Sequence, residues 1–113
     1  MRIAPALALA AALGVTAGGA QAQVTNNEIK IGILSDMSSL YTDLAGAGSV
    51  LAARMAVEDS GIAGRGFKVD FVSADHQNKA DVGSNIARQW YDRDGVDLIV
   101  DVPNSAVALA VNT

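Results

Sequence analysis

Two short stretches of this 113-residue chain carry residue types that can hold a small polar molecule. In Val102-Pro-Asn-Ser105, a turn follows an apolar run and precedes the helix-forming Ala106-Val-Ala-Leu-Ala-Val111. A helix start leaves backbone N–H groups without intrahelical acceptors and carries the positive end of the helix dipole. Asn104 or Ser105 with those amides could therefore seat a carboxylate. Ordinary N-capping by Asn104 or Ser105 accounts for the same residues without a ligand. The second stretch, Asp36-Met-Ser-Ser-Leu-Tyr41, offers the Ser39 hydroxyl and one aromatic ring. Tyr41 can stack on a ligand and donate a hydrogen bond, or simply cover a neighbouring helix.

Other candidate chemistries fail on spacing. Gly46-Ala-Gly48 opens like a dinucleotide fingerprint but lacks the third glycine and lies too far beyond the first strand. Close helix packing is the expected use of those glycines. His76 is the only histidine, flanked by Asp75 and Gln77, and reads as a solvated loop residue because a metal site needs several convergent ligands. Asp92, Asp94, Asp97 and Asp101 lack the spacing of a calcium loop. There is no Gly-x-Ser-x-Gly and no Ser-x-x-Lys. No catalytic residue, metal site or cofactor is expected.

The elements that must position these residues follow from periodicity. Glu28 to Leu34 alternates Ile29, Ile31 and Ile33 with polar or small residues, the period of a strand. Asp43 is placed to cap a helix with an apolar stripe of Leu44, Ala47, Leu51 and Met55, ending near Ser60-Gly61. Phe67 to Ala74 predicts a second strand. Asp81 is placed to cap a second helix with Val82, Ile86, Ala87 and Trp90 inward, closed by Asp94-Gly95. Val96 to Val102 predicts a third strand, followed by the third helix. The β-α-β-α-β-α order predicts an α/β fold, a parallel sheet with flanking helices and right-handed crossovers. Ligands of such sheets gather beyond the carboxyl ends of the strands, where the loops at 35–42, 75–80 and 103–105 converge.

Composition narrows the setting. Met1-Arg2, the apolar stretch from Ile3 to Ala17 and Ala20-Gln-Ala22 form the pattern of a signal peptide cleaved after Ala22. The remaining 91 residues carry 7 basic against 12 acidic side chains, which argues against nucleic acid and anionic membrane surfaces. Without cysteine there is no disulfide framework, thiolate metal site or lipid-modified cysteine, so a periplasmic product free of the membrane is expected. The chain stops in a helical run with no following strand. Residues 23–113 are thus expected to be a truncated N-terminal lobe.

Taken in order, these segments resemble the branched-chain amino acid (Leu/Ile/Val) type of ABC transporter periplasmic substrate-binding protein. The resemblance rests on Ile29-Lys-Ile-Gly-Ile-Leu34 with Asp36-Met-Ser-Ser39, on Ala53-Arg-Met-Ala-Val-Glu-Asp59, on Val69-Asp-Phe-Val-Ser-Ala-Asp75 with Gln77, and on Val96-Asp-Leu-Ile-Val100 with Asn104-Ser105. It implies part of lobe one of a two-lobed, type I periplasmic-binding-protein fold that closes on its ligand, as a monomer serving a membrane permease. It also implies that Asn104, Ser105 and Ala106 hold an amino or organic acid carboxylate while Tyr41 packs on the ligand. Ser38-Ser39 replaces the family's Ser-Gly, and Val102-Pro-Asn-Ser105 replaces a hydroxyl-rich loop, which leans the ligand towards aromatic or other organic acids. An exported sensory domain of the same fold and an exported flavodoxin-like α/β enzyme are the alternatives. The enzyme would need a phosphate loop where Asp36 stands, and a carboxylate repels phosphate.

Overall fold

The computed structural model describes residues 24–113, so the expected signal peptide at 1–22 lies outside the described residues. Three strands form one parallel sheet: β1 (Glu28–Ser35), β2 (Lys68–Asp75) and β3 (Leu98–Val100), in the order β2-β1-β3. Ser35 lies opposite Asp75, and Ile33 lies opposite both Ser73 and Val100. The carboxyl ends of β1 and β2 therefore finish level. As the central strand, β1 becomes buried along its second half, with Ile33, Leu34 and Ser35 fully inaccessible. A strand covered on both faces loses the alternating exposure that a one-sided sheet shows.

Three helices follow the strands: α1 (Gly46–Asp59), α2 (Ala80–Gln89) and α3 (Ser105–Val111). The expected inward stripe of α2 is present. Ala87 and Trp90 are buried with Leu34 and Val96, and Val72, Ala74, Ile86, Ile99, Val102 and Val111 pack around them. Each fully buried side chain of this size contributes about 1.5–3 kcal/mol of transfer free energy. Val72 and Ala74 face this core, so Phe71, one residue before Val72, points to the opposite face of the sheet. There the Arg54 guanidinium of α1 lies 5.0 Å from the Phe71 ring centroid. Helices thus cover both faces.

α2 passes into a π-helical turn over Trp90–Asp94 and stops at Gly95 in the left-handed region, φ 66°. α3 can approach α2 closely because Gly83 has no side chain. A Cβ there would run into the Val107 side chain.

Five expectations need correction. Asp43 is exposed and does not cap α1: the N-cap is Ala45, and the Gly46 amide donates to the buried Ser35 Oγ at 3.0 Å. That bond and the tight turn at Gly46, φ 52°, fix the rotation of α1 on the sheet. As a result the stripe Leu44, Ala47, Leu51 and Met55 faces outward, with Leu44 83% and Leu51 60% exposed. The smaller Val50, Ala53 and Val57, about 130° round the helix, are the half-buried apolar set. Asp81 lies in the first turn of α2, where a negative charge suits the dipole, and the N-cap is Lys79 with no side-chain cap. β3 is only three residues long, because Asp101 at φ 57° turns the chain out of the sheet. Finally, Gly48 has open space about it and Gly46 sits against the Asp36 carbonyl and Thr42 rather than another helix, so helix packing explains neither glycine.

Candidate functional site

The loop after β1 is built around a carboxylate. Asp36 is fully buried and accepts from four donors: the Ser39 hydroxyl at 2.6 Å and the N–H groups of Tyr41, Ser39 and Ser38 at 2.8, 2.9 and 3.3 Å. Asp-x-Ser-Ser is locally suited to this, since an aspartate readily folds the next residues round its own side chain. Burial pushes the Asp36 carboxyl up, but the hydrogen bonds from Ser39, Tyr41 and Ser38 outweigh it and bring the pKa from 3.8 to about 2.

A second carboxylate reaches in from β2. Asp75 accepts from the Ser38 hydroxyl at 2.6 Å through Oδ2, and from the N–H groups of Gln77 and Met37 at 2.8 and 3.0 Å through Oδ1. Burial and the neighbouring Asp36 charge raise its pKa, yet these hydrogen bonds leave it lowered. Asp75 therefore ties the first loop to the second.

The second loop is held in turn. The His76 N–H donates to the Ser35 carbonyl at 2.9 Å, and Gln77 and Asn78 take left-handed conformations, φ 54° and 58°. His76 was expected in solvent. It is instead fully buried, its Cβ 3.5 Å from where a Cβ on Gly83 would stand. Its Nδ1 accepts from the Asn78 N–H at 2.9 Å, while Nε2 has no partner among the described residues.

The third loop closes the arrangement. Asn104 Oδ1 accepts from the Val107 N–H at 3.0 Å, so Asn104 is a true N-cap, and its Nδ2 donates to Asn78 Oδ1. Ser105 and Ala106 are exposed at the first turn of α3. Asp101 Oδ2 is buried without a partner among the described residues.

The residues expected to bind ligand thus lie beyond the carboxyl ends of the strands, in the loop after β1 and at the start of α3, but not in one cluster. Ser39 is engaged with Asp36. Tyr41 is half-buried and contributes its backbone to the same carboxylate, and its hydroxyl makes no hydrogen bond among the described residues. Asn104 is joined to Asn78, and no hydrogen bond links the first loop to the third. The organising roles of Asp36, Asp75, Asn78 and His76 escaped the sequence reading. Only that of Asp36 had a local signal, in the serines two and three positions on.

A separate hollow of about 370 Å³ lies at the opposite, amino ends of the strands, lined by Asn26, Glu28, Lys30, Asp70 and Asp97 among others. Its charges are already committed. Lys68 pairs with Asp70 at 3.0 Å and Glu28 at 3.7 Å, and Asp97 accepts from the Lys30 N–H at 2.8 Å. Among the described residues no cluster of acidic or histidine side chains is suited to a metal ion.

Comparison with known proteins agrees with this architecture. A periplasmic binding protein from Burkholderia mallei is 49% identical with a TM-score of 0.69, over 76% of this chain and 23% of its own. A branched chain amino acid ABC transporter periplasmic ligand-binding protein from Burkholderia xenovorans is 56% identical with a TM-score of 0.69, over 74% of this chain and 22% of its own. A solute binding protein of an ABC transporter from Rhodopseudomonas palustris, solved with 3,4-dihydroxybenzoic acid, shares the fold at 20% identity and a TM-score of 0.63. No curated protein matches the chain significantly. The chain spans less than a quarter of the length of these structures. The periplasmic binding protein family matches residues 28–113, and with helices on both faces of the parallel sheet and identities of about half, the chain belongs to that family.

Proposed function

We propose that this chain forms part of the first lobe of a solute-binding component of an ABC importer, which captures a small carboxylate-bearing molecule in the periplasm. The observation that carries the reading is the edge at the carboxyl ends of the strands, where hydrogen bonds couple three polar loops into one surface. Open α/β sheets bind ligands at such edges, and the relatives at about 50% identity are periplasmic binding proteins, one named for branched-chain amino acids. In this proposal the Ser105 hydroxyl and the Ser105 and Ala106 amides take the carboxylate. Asn104, its side chain spent on capping and on Asn78, holds that turn in place. Ser39 and Tyr41 meet the ligand from the first loop. A second lobe closes over it, and the closed form, stabilised by contacts absent from the open one, docks on a permease.

The test is a thermal-shift panel of amino acids, aromatic acids and aliphatic acids on the full-length protein. A ligand at 100 times its dissociation constant should add about 2.7 kcal/mol to stability. A raised midpoint with one or more of these acids, abolished by esterifying the carboxylate, is the expected result. If no acid raises the midpoint, the proposal fails.

A further inference from the structure

The first loop turns its donors inward. Of the N–H groups from Met37 to Thr42, those of Met37, Ser38, Ser39, Tyr41 and Thr42 all donate within the protein, to Asp75, Asp36 or the Ser39 carbonyl. The two serine hydroxyls behave alike: Ser38 donates to Asp75 Oδ2 and Ser39 to Asp36 Oδ2, each at 2.6 Å. An ionised carboxylate only accepts, and a serine hydroxyl has one proton. Both protons are therefore committed, and what each exposed serine can offer outward is the lone pairs of its oxygen. Two carboxylates directly behind these oxygens reinforce the negative potential there.

We infer that Asp36 and Asp75 set the specificity of this loop by fixing its polarity: it recognises a hydrogen-bond donor on the ligand, an ammonium or a hydroxyl, and disfavours a carboxylate. The inference rests on the binding reading above and deepens it. The ligand must carry its carboxylate towards the third loop and a donor towards Ser38 and Ser39. Asp75 is the residue through which this can be reversed. Its Oδ1 alone serves the Met37 and Gln77 amides, and its Oδ2 serves only the Ser38 hydroxyl. In Asp75→Asn the amide oxygen can keep both backbone bonds while the amide NH₂ donates to Ser38. That frees the Ser38 proton to point at the ligand.

The experiment is calorimetric titration of the full-length protein at pH 7 with two matched pairs: leucine against 4-methylpentanoate, and 4-hydroxybenzoate against benzoate. The pairs separate an ammonium donor from a phenolic one. In at least one pair the donor-bearing member should bind at least about tenfold tighter, since a site built to accept a hydrogen bond discriminates against a ligand without one. Asp75→Asn should reduce that ratio by about tenfold with a cooperative melting transition retained, and Ser38→Ala, which keeps no hydroxyl to orient, should also reduce it. An unchanged ratio in both variants, or donorless acids binding as tightly as their partners, would overturn the inference while leaving the binding function standing. Failure of all four acids to bind, with no acid of the thermal-shift panel raising the midpoint, would overturn the functional reading and the inference together.

Discussion

At the scale of single residues, the chemistry of the candidate site is dominated by two multiply bonded carboxylates, one buried and one half-buried, rather than by the hydroxyls that first draw attention. Asp36 and Asp75 both have lowered pKa values in the folded protein, because the donors around them favour the charged form. A depressed folded-state pKa contributes stability that is present above the unfolded value and is lost as pH falls through the folded one. The contribution of Asp36 should thus be intact above about pH 4 and disappear as the pH approaches about 2. Circular dichroism melts across that window should show a steep fall in midpoint, and Asp36→Asn should lower the midpoint at pH 7 and flatten its acid dependence. An acid dependence identical to wild type in Asp36→Asn would contradict the assignment. His76 makes the complementary case. Replacing it with alanine removes the acceptor of the Asn78 N–H and should cost about 1–3 kcal/mol in a denaturant titration. A solvated histidine would cost nothing measurable.

At the scale of elements, the positions of the loops depend on two glycines. Gly83→Ala should destabilise by about 1–3 kcal/mol, because the added methyl must displace Val107 where α2 meets α3. Gly46→Ala should destabilise by about 1 kcal/mol or more, since φ is 52° and the Asp36 carbonyl lies 3.2 Å from the new Cβ. Gly48→Ala, with nothing within 4 Å, is the control: helix propensity predicts neutrality or a gain of up to about 1 kcal/mol. Urea midpoints for the three variants check this ordering. Much of this layer is legible in the sequence, because Ile29 to Leu34, Lys68 to Ala74 and the Val82-Ile86-Trp90 stripe carry their periods on large apolar residues. The rotation of α1 is not legible. Its packed side uses Val50, Ala53 and Val57, smaller than the outward Leu44, Leu51 and Met55, and the Ser35–Gly46 hydrogen bond that fixes it joins residues 11 apart. The polarity of Ser38 is hidden for the same kind of reason, since Asp75 is 37 residues away and meets it only through strand pairing.

At the scale of the whole molecule, the sheet gathers chemistry at one end and neutralises it at the other. The amino ends of the strands pair Lys68 with Glu28 and Asp70, and these exposed bridges contribute little. The carboxyl ends instead hold two multiply bonded carboxylates, Asp36 buried and Asp75 half-buried, and an asparagine pair that lock three loops together. Such pre-organisation lowers the ordering cost of ligand binding. The most direct measurement is amide hydrogen exchange on the full-length protein, with and without a saturating acid identified by thermal shift. Slowed exchange at Ser105 and Ala106, together with residues 37–42, is the predicted pattern. Slowed exchange around Glu28, Lys30 and Asp97 instead, or none in residues 24–113 despite tight binding, would place the ligand elsewhere and contradict the account.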